Sequence, residues 1–142
     1  MAMIAAGVLG ALGLTVQGQA WTWTLYADSA PVVLAQEIPD TPRLNTTLQC
    51  EPGSGAVRIT LYQPGLTGGF ATLSAGGAAA TAEAAAGRDG STATAIRVEH
   101  PAWRAFVTGG RLAVAVGEGA QDVTIPADHL PKLRRFTELC GG

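Results

Sequence analysis

The chain has 142 residues, with 9 Lys and Arg against 11 Asp and Glu, and charged residues make up only 14% of it, about half the usual share for a soluble protein. Such a length suits one domain with a real core. The lack of a basic surplus argues against a nucleic-acid binder, which needs a cationic footprint to meet phosphates.

The first charged side chain is Asp28. Before it, Met1 to Val16 is apolar and punctuated by glycine, and Gln17-Gly18-Gln19-Ala20 offers small residues at 18 and 20, which suit signal-peptidase cleavage before Trp21. Residues 1–20 therefore read as a secretory signal and 21–142 as a single β-rich domain. The opening MAMIAAG lacks the Lys or Arg that usually begins a signal. The run is also shorter than the roughly 20 apolar residues a spanning helix needs. A retained anchor and a buried core element are the alternatives, and after cleavage no stable membrane span is expected.

Trp21-Thr22-Trp23-Thr24-Leu25-Tyr26 alternates with Trp21, Trp23 and Leu25 on one face, the period of a half-buried strand. Val32 to Ala35 is a short apolar run consistent with a second strand. Pro39 and Pro42 make 36–43 a loop, because neither can donate to a ladder and each restricts the residue before it. Leu44, Thr46, Leu48 and Cys50 then share one side of a strand, and Val57, Ile59 and Leu61 one side of the next, hinged on Pro52-Gly53-Ser54-Gly55. This is the pattern of a β-hairpin. Cys50 points inward in it, and its one possible intrachain partner is Cys140. A pair of unrelated buried thiols is the alternative.

Residues 63–69 carry turn chemistry and 70–74 resume a strand. Residues 75–87 are nearly all Ala and Gly. Alanine favours helix, but Gly76-Gly77 sits where a two-residue hairpin turn belongs, so a weak strand is expected over a short helix. Thr92 to Glu99 alternates with Thr94, Ile96 and Val98 on one side. A short helix follows near 101–108, begun by Pro101 and closed by Gly109-Gly110, with Trp103, Phe106 and Val107 inward. Residues 112–116 and 123–125 give two more strands across 117–119. Asp128 to Cys140 forms a C-terminal helix with Leu130, Leu133, Phe136, Leu139 and Cys140 along one stripe, and with Lys132, Arg134 and Arg135 largely on the other side. The fold class is mainly β, an antiparallel β-sandwich or partly open barrel of about eight strands.

Few residues offer chemistry. His100 and His129 stand alone, without the converging ligands that a metal site requires, so capping or surface roles are expected and no metal or cofactor. Asp128 beside His129 is the nearest approach to a constellation. Gly53-Ser54-Gly55 joins strand to strand and lacks the spacing of a nucleophile elbow. Glu37, Glu51, Glu99 and Glu118 are the carboxylates from which a glycosidase pair would be drawn, but sequence alone places no two of them together. Asn45-Thr46-Thr47 matches a glycosylation acceptor but falls inside a strand. Among the aromatics, an exposed Trp21 and Trp23 would stack on sugar or anchor a partner, whereas their alternation with Thr favours burial; the same holds for Trp103. Lys132, Arg134 and Arg135 would meet an anionic partner, or simply form a solvated edge that complements the helix's negative end.

At CEPGSGAVRI, from Cys50, and at VTIPADHLPKLRRFTELC, ending at Cys140, the chain resembles small exported two-cysteine alphaproteobacterial β-rich proteins of uncharacterised function. The resemblance implies a periplasmic address and a disulfide, and it carries over no catalytic residue. The expectation is a periplasmic or secreted monomer, a non-catalytic binding or structural module whose target is an envelope protein or a glycan. A proteinaceous inhibitor of a hydrolase such as a lysozyme or protease is the alternative, and a minor enzyme the third. Contacts are expected from the loops 36–43, 63–69 and 117–121, since connecting segments carry function more often than strands.

Overall fold

The computed structural model describes residues 20–141. The expected leader lies, apart from Ala20, outside them. Nine strands are present: β1 (Thr22–Tyr26), β2 (Val32–Glu37), β3 (Leu44–Cys50), β4 (Ala56–Leu61), β5 (Gly69–Ala75), β6 (Ala78–Ala86), β7 (Thr92–Arg97), β8 (Arg111–Val116) and β9 (Gly119–Thr124). Helix α1 (Pro101–Gly109) lies between β7 and β8, and a 3₁₀ turn (Ala127–His129) leads into the C-terminal helix α2 (Leu130–Gly141).

The strands run antiparallel as one sheet in the order β1-β2-β3-β4-β7-β6-β5-β8-β9. The sheet is curled as a half-barrel, which of the two architectures expected is nearer the partly open barrel. Among the described residues the strand count is nine against the eight or so expected, and the Ala-rich stretch forms a strand, as its glycine turn predicts. Gly76 and Gly77 make the turn before it at φ of 56° and 85°, values open to glycine but costly for other residues, and Ala75 faces Ala78 across it. The central hairpin forms as the alternation predicts, with Leu48 opposite Ile59 and Thr46 opposite Leu61.

One face of each strand fills the core. Leu34, Leu48, Val57, Ile59, Leu61, Leu73, Leu112 and Val114 are fully buried. Helix α1 packs against β5, β6 and β8, and α2 against β1, β2 and β4. Within α1 Trp103 meets Phe106 edge to face at 5.2 Å, and across to α2 it meets Phe136 at 6.3 Å, geometries that favour aromatic pairs. The Trp103 indole donates to Thr137 Oγ1 at 3.2 Å, satisfying its one polar group. Helix α1 starts on His100, whose Nδ1 accepts from the Ala102 amide at 3.0 Å, and stops on Gly110, a left-handed cap at φ 79°.

Side chains draw the two sheet edges together where no ladder does. Trp23 on β1 donates its indole N–H to the Thr124 carbonyl on β9 at 3.1 Å. Gln121, on the same edge strand, donates to Thr46 Oγ1 at 2.9 Å and to the Asn45 carbonyl at 3.1 Å, while its oxygen accepts from the Gln63 amide at 3.2 Å. The expected contact loop at 117–121 is therefore corrected. Only Gly117 and Glu118 form the turn, since β9 begins at Gly119.

Candidate functional site

Cys50 and Cys140 are joined, with a Cα–Cα distance of 5.8 Å across a sequence separation of 90 residues. Backbone geometry reinforces the link. The hairpin tip donates from Gly53 to the Leu139 carbonyl at 3.0 Å and from Gly55 to the Cys140 carbonyl at 2.7 Å, filling two of the acceptors that a helix end leaves open. Glu51, Pro52, Gly53 and Ser54 remain exposed, a short loop held at its base by a disulfide and two hydrogen bonds.

The other sequence-predicted site residues are dispersed. Trp23 and Trp103 are 2% and 0% exposed, and both belong to the core. Trp21, which the alternation placed on the same face, precedes β1 and is 42% exposed, with the Arg43 guanidinium 5.6 Å from its ring centroid. Lys132 is not a solvated edge residue. Its ammonium donates to the Trp23 carbonyl at 2.6 Å, tying α2 to the edge strand. Arg134 is exposed on α2, and Arg135, also exposed, faces Glu138 at 3.4 Å. Two of the three cations are thus engaged within the chain.

Sequence reasoning missed two exposed aromatics. Tyr26, 50% exposed, lies out of phase with Trp23, and its hydroxyl donates to Glu37 Oε2 at 2.5 Å. That hydrogen bond, with burial and the carboxylate's charge adding to it, holds the phenol above its usual pKa. Glu37 pairs across the ladder with Thr22, so the hydrogen bond holds the Tyr26 hydroxyl toward the start of β1. Phe70, 67% exposed, stands apart on β5. The signal available for Tyr26 was its parity within the strand.

The polar chemistry is sparse. Glu37, Glu51, Glu99 and Glu118 lie on four separate segments: β2, the hairpin tip, the link into α1 and the β8–β9 turn. Glu99 bonds Arg97 Nε, which holds its carboxyl below the usual range. Among the described residues no three His, Cys, Asp or Glu side chains come together. A depression of about 580 Å³ lies over the β5–β6 turn, and Arg111, the charged residue in its lining, is engaged by Asp122 at 3.3 Å. What the surface offers is braced aromatic area and a rigid loop. No family model, curated protein or solved structure matches the chain.

Proposed function

We propose that this chain is an exported, non-catalytic binding module of the cell envelope whose target is another protein. The observation that carries the reading is two exposed aromatics at the two ends of edge strand β1, Trp21 just before its first residue and braced by Arg43, and Tyr26 at its last residue and braced by Glu37. Aromatic anchors supply most of the energy in many interfaces. A side chain already held in place loses less freedom on binding. The disulfide favours an oxidising compartment, where such bonds persist, and no described helix is long and apolar enough to cross a membrane.

The test is a quantitative pull-down from envelope extract with wild-type protein and a Trp21→Ala, Tyr26→Ala double variant. The reading expects one saturable protein partner whose recovery falls at least about tenfold in the variant, the loss of about 1.4 kcal/mol or more. Equal recovery by both would refute it, and competition by soluble peptidoglycan fragments would move the target to a glycan.

A hydrolase inhibitor is the second reading, favoured by the exposed tip at 51–54, which is pinned at its base to α2. Loops fixed in advance suit insertion into an active site. Titration against a lysozyme and a serine protease separates the readings. Inhibition that disappears in Ser54→Trp supports this one, and none at micromolar concentration removes it.

A further inference from the structure

The sheet opens between β6 and β7. Ladder pairing joins only Ala85 to Ala93 and Ala86 to Thr92. Away from that point β6 runs from Ala84 back to Ala78 paired with β5, and β7 runs from Thr94 to Arg97 paired with β4. The strands part where the Thr94 hydroxyl donates to the Glu83 carbonyl at 2.8 Å, a side chain standing in for a ladder amide. Beyond it two strand edges face a notch of about 440 Å³, lined by Ala80, Thr81, Ala95, Ile96, His100 and Pro101.

The direction of the backbone groups follows from the register, because alternate residues of a strand turn their N–H and C=O to opposite neighbours. The two-residue turn at Gly76-Gly77 makes Ala75 and Ala78 the closing pair. Ala78, Ala80 and Ala82 therefore serve β5, and Ala79, Thr81 and Glu83 turn toward the notch. On β7 the Val98 amide donates to the Gly55 carbonyl at 3.0 Å, which assigns the even positions to β4. Ala93, Ala95 and Arg97 turn toward β6. The carbonyls of Glu83 and Arg97 are taken, by Thr94 Oγ1 and by the His100 amide. The amides of Thr81, Ala95 and Arg97 and the carbonyls of Thr81 and Ala95 have no ladder partner among the described residues.

We infer that this notch is a slot for one extended peptide segment of the partner protein, seated as an added strand between β6 and β7. Two facing strand edges whose amides and carbonyls lack ladder partners are matched by an extended main chain, the basis of strand addition at sheet edges. The walls specify the side chains. Ala80, Ile96 and Pro101 offer apolar area to one side of such a segment, and Thr81 with the Arg97–Glu99 pair borders the other. Because Arg97 and Glu99 neutralise each other, an uncharged segment that alternates apolar and small polar residues fits best. His100 adds a donor, since its Nδ1 accepts from Ala102 and the neutral ring then carries its proton on Nε2. Strands lie about 4.8 Å apart, so insertion sets β6 and β7 about 9.6 Å apart, pivoting on the Ala85–Ala93 pair.

This inference rests on the binding-module reading and names its second contact. The test titrates an acetylated, amidated heptapeptide of alternating valine and threonine into the purified protein, followed by amide NMR and hydrogen exchange. The expected result is saturable shifts and slowed exchange at Thr81, Ala95 and Arg97, with about tenfold weaker binding when alternate peptide amides are N-methylated. Ala95→Pro, which deletes one notch amide while leaving the β4 ladder intact, and Ala80→Trp, which fills the notch, should each weaken binding about tenfold or more, with spectral dispersion reporting that the fold persists. Shifts confined to other sites, no shifts at millimolar peptide, or equal binding of the N-methylated peptide would overturn the slot. Should the slot fail while the pull-down still depends on Trp21 and Tyr26, the binding module stands without it; failure of both removes both.

Discussion

The Trp23 indole on β1 donates to the Thr124 carbonyl on β9 across 101 residues of sequence, so the first and last strands of the sheet are held by a side chain where no ladder joins them. Removing that donor should loosen the whole seam. Trp23→Phe keeps an aromatic ring but leaves the carbonyl unpaired, at about 1 to 3 kcal/mol, with a further cost for the space the smaller ring vacates. Urea denaturation should show a lower midpoint with an unchanged slope. An unchanged midpoint would mean the seam contributes nothing.

Lys132 makes the second tie to this edge, through the Trp23 carbonyl. A hydrogen bond from a charged donor contributes about 1.5 to 3 kcal/mol, so Lys132→Met should lower Tm by roughly 4 to 12 °C for a domain of this size. Arg134→Met, on the exposed side of the same helix, should leave Tm almost unchanged. Thermal unfolding of the two variants side by side checks the contrast.

Two surface groups contribute at opposite ends of the pH range. The Ser91 hydroxyl and amide both donate to Asp89 Oδ1, at 2.5 and 3.1 Å, and hold its carboxyl below the usual range. Its stabilising contribution is therefore complete above the ordinary carboxylate pKa of about 3.9 and is lost as pH falls through the lower folded value. Tyr26 runs the other way. Its pKa is raised, first by the bond to Glu37, so its contribution is complete below the ordinary value of about 10 and is lost as pH rises through the higher folded one. Carbon-detected NMR titration should return Asp89 toward the usual range in Ser91→Ala and Tyr26 toward its usual value in Glu37→Gln.

Much of the fold was legible because local signals agreed with one another. Alternation from Leu44 to Leu61 around two glycines specified the hairpin, and Gly76-Gly77 outweighed the helical preference of the alanines that follow, since hairpin pairing depends on the turn and not on alanine. Trp21 shows where periodicity ends. It has the parity of Trp23 but lies before the first residue of β1, beyond the cover that makes that face a core. Gln121 was invisible for a different reason. Gly119, Ala120 and Gln121 have no apolar alternation, and the partners of Gln121, Asn45 and Thr46, are more than 70 residues away. The parting of β6 and β7 was equally illegible, because strand order joins segments that are not neighbours in sequence and no local propensity encodes it.

The cysteine pair ties the central hairpin covalently to α2. In the chain-entropy picture a bridge closing a loop of this length contributes up to about 4 to 5 kcal/mol, and a Cys50→Ala, Cys140→Ala variant should lose much of that while the Gly53 and Gly55 amides continue to cap α2. Chemical denaturation of the variant beside wild type gives the value.

Intact mass of the protein purified from its native host, measured with and without reductant, tests the exported, disulfide-moored module most directly. The expected result is a chain beginning at Trp21 that gains two hydrogens on reduction. A chain that retains Met1 and shows the same mass with and without reductant would contradict it.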